Sequence, residues 1–177
     1  MAWNSDQSIR MEADDPRLIE WLRHGGNYGV IGGKGLVILD ADTEEIKSLA
    51  EERLPATFTV LTPGHRGWHG YYRCDLKKAI RLRDTNGKNV GDVQGPGKMV
   101  LGPGSIHPLG GTYEILKDLP LAEITPEALK EALRAYLAKP EKERRMSEEE
   151  AQREKHDLGI DIPIGEVINL SKMKRQG

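Results

Sequence analysis

The stretch GLVILDADTEE (35–45) carries four apolar residues, Leu36 to Leu39, straight into two aspartates one residue apart. Asp42 has capping-box spacing with Glu45, ahead of a helix expected from Thr43 to about Arg53. A capping role does not extend to Asp40. A carboxylate ending a buried strand is costly unless it is paired, hydrogen-bonded or bound to a cation. Residues i and i+2 of a strand point the same way, so Asp40 and Asp42 can face one point beyond the strand end. Open α/β sheets collect their ligands there. Two hard oxygen donors at this spacing suit Mg²⁺ or Mn²⁺ and, through the ion, a polyphosphate.

An acidic pair after an apolar strand serves three enzyme classes: haloacid-dehalogenase-type phosphatases, nucleotide-sugar glycosyltransferases, and nucleotidyl-transferring polymerases or primases. In the phosphatase reading Asp40 is the nucleophile and Asp42 the acid. That chemistry needs a late lysine and a further acidic pair at a strand end, for which the sequence offers no good candidate. A glycosyltransferase would carry a nucleotide-binding unit before its acidic pair and a longer chain. Two further patches favour the third class. TPGHRGWHGYY (62–72) places His69 on a strand after a glycine turn, with Arg66 nearby, and VGDVQGPGKMVLGPGSIHPLGGTYEI (90–115) sets Asp92 in a short polar strand.

The elements that must position these residues alternate in type. A helix is expected over 14–24, capped by Asp15 with Pro16 at its first position. Six glycines between Gly25 and Gly35 lead into the strand 36–40. Strands are expected at 57–62, 67–73, 98–102 and 111–116. The mixture predicts an α+β (mixed α/β) domain over 1–120. Residues 121–158 read as a helical extension and linker, with helix starts at Thr125-Pro126-Glu127 and Ser147 and thin apolar faces suited to an arm. Residues 159–177 open a new apolar pattern, as expected of a fragment of a longer protein.

The 177 residues are 37% apolar and 31% charged, as in globular proteins, with no apolar run long enough for a membrane span and no signal peptide. A cytoplasmic location is the simplest expectation, and no membrane partner is expected. Cys74 is the single cysteine, so no cysteine zinc site is expected within this chain. The net charge is −2, yet residues 64–98 hold eight basic residues against three acidic ones, a local +5. Such a strip suits contact with nucleic-acid phosphates; the alternative is a solvated basic hairpin.

The three patches together resemble the archaeo-eukaryotic primase superfamily, specifically the primase-polymerase (Prim-Pol) domains of archaeal plasmid and viral replication proteins. That family carries an acidic DxE or DxD pair, a strand with a small residue two before a histidine, then a third acidic residue. Here these are Asp40/Asp42, Gly67-Trp68-His69 and Asp92. NYGVIGGKGLVILDAD and LGPGSIHPLGGTYEI resemble the family's glycine lead-in and its Pro-Ser-rich segment, so the likeness covers about residues 24–116. The chain departs from many relatives in its DxD pair, in Gly67 where a small polar residue is common, and in lacking a zinc-binding stem.

The resemblance implies a Prim-Pol catalytic fold, with an RRM-like sheet unit and a glycine-rich N-terminal α/β unit. It implies template-directed nucleotidyl transfer from dNTPs or NTPs on a single-stranded DNA template and primer. Two divalent ions, Mg²⁺ or Mn²⁺, would be held by Asp40, Asp42 and Asp92. His69 would contact the nucleotide's phosphates, with Arg66 and Lys34 as further phosphate contacts. Ser105 and His107 sit in a turn that reaches the triphosphate or caps itself. Trp68, Tyr71 and Tyr72 are candidates for base stacking or for the core. A helicase or further domains of a replication protein are the implied partners. The competing expectation is a catalytically degenerate, DNA-binding initiator domain.

Overall fold

The computed structural model describes residues 11–63 and 67–137. Pro16–Arg23 forms α1, and strands follow at Gly29–Ile31 (β1) and Leu36–Ala41 (β2). Helix Glu44–Arg53 (α2) leads to Thr59–Leu61 (β3), Trp68–Arg73 (β4), Ile80–Arg83 (β5) and Asn89–Gln94 (β6). Met99–Leu101 (β7), Glu114–Lys117 (β8), Ala122–Glu123 (β9), Pro126–Ala132 (α3) and the 3₁₀ turn Arg134–Tyr136 complete the chain described. The fold is α+β, as expected, and no helix among the described residues is long and apolar enough to cross a membrane.

The main sheet runs β5-β6-β2-β4-β3-β8, with β9 added beside β4. The strand expected at 36–40 is its centre. Alternation along β2 divides the core in two. Val37, Leu39 and Ala41 join Trp68 and Tyr72 of β4 under Ile46 and Ala50 of α2. Ile38 faces the other way, with Val60, Tyr71, Val100, Leu101 and Tyr113. β1 and β7 pair as a separate antiparallel ribbon, and β7 supplies Val100 and Leu101 to that second cluster.

Two expectations are corrected. The cap of α2 is Thr43, whose side chain accepts from Ile46 N, and not Asp42. The helix starting at Pro126 ends at Ala132 and is no arm: Leu129 and Leu133 are fully buried in the core beneath the sheet, and α3 lies against α2. Leu137 bridges to Leu82 of β5, and the compact unit runs to Ala138, so the boundary expected at residue 120 falls inside it. The three apolar side chains of α3 and its cap fill the space that β2 and α2 leave, a contact invisible in a sequence with so thin an apolar stripe. The expected helix at Ser147 and the segment 159–177 lie outside the described residues.

Leu129→Ala is therefore expected to destabilise the protein by about 2–5 kcal/mol, the range for a fully buried leucine. Chemical denaturation measures it. A loss below about 0.5 kcal/mol would return α3 to the role of a solvated arm.

Candidate active site

Antiparallel register lines up the chemistry. Asp40 on β2 is paired directly with His69 on β4 and, on its other side, with Asp92 on β6. Asp92 is in turn paired with Arg81 on β5. Directly paired residues project on the same face, with Cβ atoms about 4.5–5.5 Å apart. The result is a transverse row, Arg81–Asp92–Asp40–His69, across four neighbouring strands. Asp42 follows two residues after Asp40, its backbone N–H still donating to Val90 O of β6 at 3.2 Å. Because Thr43 caps α2, the Asp42 side chain is free of that duty.

Close approach of the strands depends on two glycines flanking the acidic residue. A Cβ at Gly91 would lie 2.6 Å from Asp40 O, and one at Gly67 would lie 2.3 Å from Ala41 O. Any side chain at either place would push β6 or β4 off β2 and open the row. Gly67, the departure from the small polar residue common in relatives, is here a packing requirement.

His69 is buried, and its Nε2 lies 3.3 Å from Asp40 Oδ1. Its ring stacks on Tyr113 at 5.5 Å and 28°, and Tyr113 meets His107 at 6.2 Å on its far side. The other ring nitrogen, Nδ1, is buried without a hydrogen-bond partner, as is the hydroxyl of Tyr71 two residues along β4. Burial pushes the Tyr71 phenol well above its ordinary pKa, with the nearby Tyr28, Asp40 and Tyr113 adding to it. At the other end of the row, Asp92 Oδ1 accepts from Arg81 Nε at 3.3 Å and Oδ2 accepts from Asn89 Nδ2 at 3.2 Å.

Asp42 carries the electrostatic signature of the row. Its pKa is raised by partial burial, then by repulsion from Asp40 and Asp92, with His69 opposing. The donors match divalent ions in kind: three carboxylates on one face beside a histidine. Among the described residues no group of three His, Cys, Asp or Glu side chains converges on one point as they stand. Asp40 is turned to His69, and Asp92 to Arg81 and Asn89.

The remaining expected residues are placed differently. Lys34 has a left-handed backbone (φ 51°) at the turn between β1 and β2. It lies before the start of β2, and about 13 Å of strand separates Leu36 from Asp40. It lines a cavity of about 940 Å³ between α1, β1 and Pro96–Gly97, which does not include the acidic row. Ser105 is buried, its hydroxyl accepting from Tyr28 N at 3.2 Å and donating to Tyr28 O at 3.4 Å; of its two alternatives this is the structural one. His107 Nδ1 accepts from Leu109 N at 3.1 Å within its own turn, and its ring reaches the row only through Tyr113. Arg66 lies outside the described residues. Trp68, Tyr71 and Tyr72 are all buried, which removes them as base-stacking surfaces. Tyr113, Asn89 and the pairing of Arg81 with Asp92 were not visible in sequence, because each depends on cross-strand register.

The α+β domain thus sets three carboxylates and a buried histidine side by side at the centre of its sheet. A family model described as Prim-Pol, bifunctional DNA primase/polymerase, N-terminal, matches residues 5–128, and the chain belongs to that family. No relative was found among proteins of curated function.

The raised pKa of Asp42 has a measurable consequence. Its folded-state pKa lies above the unfolded one, so the folded protein favours the neutral acid and loses stability as pH rises through the carboxylate range. In the presence of a chelator Asp42→Asn should raise Tm at pH 7 by on the order of 1–3 °C. The gain should shrink with added salt and vanish below about pH 4, where both side chains are neutral. Thermal melts across pH test it; an unchanged or lowered Tm at pH 7 would show that Asp42 feels no such repulsion.

Proposed function

We propose that this chain is the catalytic domain of a DNA primase/polymerase, extending a primer on a single-stranded DNA template from dNTPs or NTPs, in the replication of a plasmid or viral DNA. The observation that carries this reading is the register row Asp92–Asp40–His69, because it unites on one face the three patches that the sequence spreads over more than fifty residues. Asp40, Asp42 and Asp92 would hold two divalent ions, Mg²⁺ or Mn²⁺. When bound, these supply Lewis-acid stabilisation of the attacking 3′-oxygen and the leaving pyrophosphate.

The protein's own groups do the rest. His69, fixed by the Tyr113 stack and by Asp40, presents a buried imidazole beside the carboxylates, suited to donating to a triphosphate oxygen. Lys77, Lys78, Arg81 and Arg83, exposed on β5 and the loop before it, offer a track for template phosphates. An open face suits a long substrate better than a closed pocket does. The competing reading, a DNA-binding module without catalysis, gives no reason for carboxylates and a histidine to share one register row. A helicase or further replication domains remain the proposed partners.

The test is primer extension on a primed single-stranded template with Mg²⁺ or Mn²⁺. Asp40→Asn and Asp42→Asn should each abolish extension while leaving the protein folded; wild-type activity in either would remove the carboxylates from the chemistry. Phosphate release from simple phosphomonoesters without extension would instead support the phosphatase reading.

His69→Ala is expected to raise the nucleotide KM and lower turnover, together about ten- to a hundred-fold, the worth of one charge-assisted hydrogen bond. DNA affinity without nucleotide should not change. A fall in Tm with parallel losses in binding and catalysis would mark the histidine as structural.

A further inference from the structure

We propose that Arg81 is the resident counter-ion of the acidic row, occupying Asp92 when no divalent ion is bound and giving way when one enters. The proposal rests on the metal-binding reading above and concerns a residue that reading does not use as a ligand. Both oxygens of Asp92 are engaged in the ion-free protein, Oδ1 by Arg81 Nε at 3.3 Å and Oδ2 by Asn89 Nδ2 at 3.2 Å. A cation bound through Oδ1 would share that oxygen with Arg81, and one bound through Oδ2 would share it with Asn89. Asn89 is uncharged, so it can keep its bond beside an ion. Arg81 cannot, because two cations on one carboxylate oxygen repel.

The arginine is also the partner more easily displaced. It holds Asp92 through a single N–H, not the two-pronged fork of a strong arginine–carboxylate pair, and its side chain is 61% exposed. Exposed pairs of this kind are weak. The register explains why it is there at all: β5 is the edge strand, and Arg81 is directly opposite Asp92 on the face where Asp40 and Asp42 add further negative charge. Neighbouring cations do not share the role. Arg83 donates to Gly87 O of its own hairpin, and Lys77 pairs with Asp75.

Removing the arginine should therefore help the ion and harm the ion-free protein. The experiment is a Mn²⁺ titration of the full chain without nucleotide, read by the electron paramagnetic resonance of free Mn²⁺. Arg81→Gln should bind Mn²⁺ about two- to five-fold more tightly than wild type, the equivalent of losing one exposed ion pair. Arg81→Lys, which keeps the charge, should stay closer to wild type, and Arg83→Gln should leave affinity unchanged. Melts of the same samples in chelator should show Arg81→Gln with the lower Tm. Unchanged or weaker Mn²⁺ binding in Arg81→Gln would overturn the counter-ion role, as would an equal gain in Arg83→Gln, which would make it a general charge effect. Failure of the metal reading looks different: wild type itself would not bind Mn²⁺, or Asp40→Asn would bind it as well as wild type, and the proposal would fall with it.

Discussion

Two carboxylates directly opposite each other on adjacent strands are a pairing that β-sheets disfavour, and this molecule builds its centre around one. Asp40 and Asp92 face each other across β2 and β6, with Asp42 two residues on. Much of the surrounding structure is legible as the means of holding that unfavourable arrangement. Gly91 and Gly67 let β6 and β4 approach the Asp40–Ala41 backbone without collision. His69 and Arg81 bracket the charges at either end of the row. The tension that remains surfaces at Asp42, whose carboxyl is held above its ordinary pKa by partial burial and by its two acidic neighbours.

The opposite face of the sheet supplies the rigidity. β2 alternates between two apolar clusters, and the one under α2 and α3 is continuous from Val37 to Leu133. A strand anchored this firmly on one side can carry charge on the other without twisting away. β4 repeats the division, with Trp68 and Tyr72 in the helical core and His69 and Tyr71 on the acidic face. The buried, unpartnered His69 Nδ1 and Tyr71 hydroxyl lie at that boundary, where an apolar wall meets the row.

The acidic row and the cavity that Lys34 lines are separate features. The cavity of about 940 Å³ lies elsewhere, against α1 and the turn carrying Lys34, while the acidic row runs across the sheet to the basic edge strand β5.

Residue type and short-range pattern determined a good deal of this protein. Leu36–Leu39 announced a buried strand, the unpaired cost of Asp40 at its end announced a site, and Asp15-Pro16 and Thr125-Pro126 announced two helices, because capping and burial are local physics. The ordered set of acidic pair, histidine and third aspartate was likewise enough to indicate the family. Local physics could not decide between Asp42 and Thr43 as the cap of α2, since both offer an oxygen within reach of the first turn. Nor could it place α3 in the core, because burial of three side chains depends on a cavity made by distant strands. Above all, register was decided only in three dimensions. That Asp40 meets Asp92 and His69, that Arg81 meets Asp92, that Tyr113 stacks on His69, and that Ser105 turns to Tyr28 all follow from which strands pair and by how much they are offset. A one-residue slip would invert every one of those faces, and the offset is fixed by the whole packed sheet rather than by any segment of the chain.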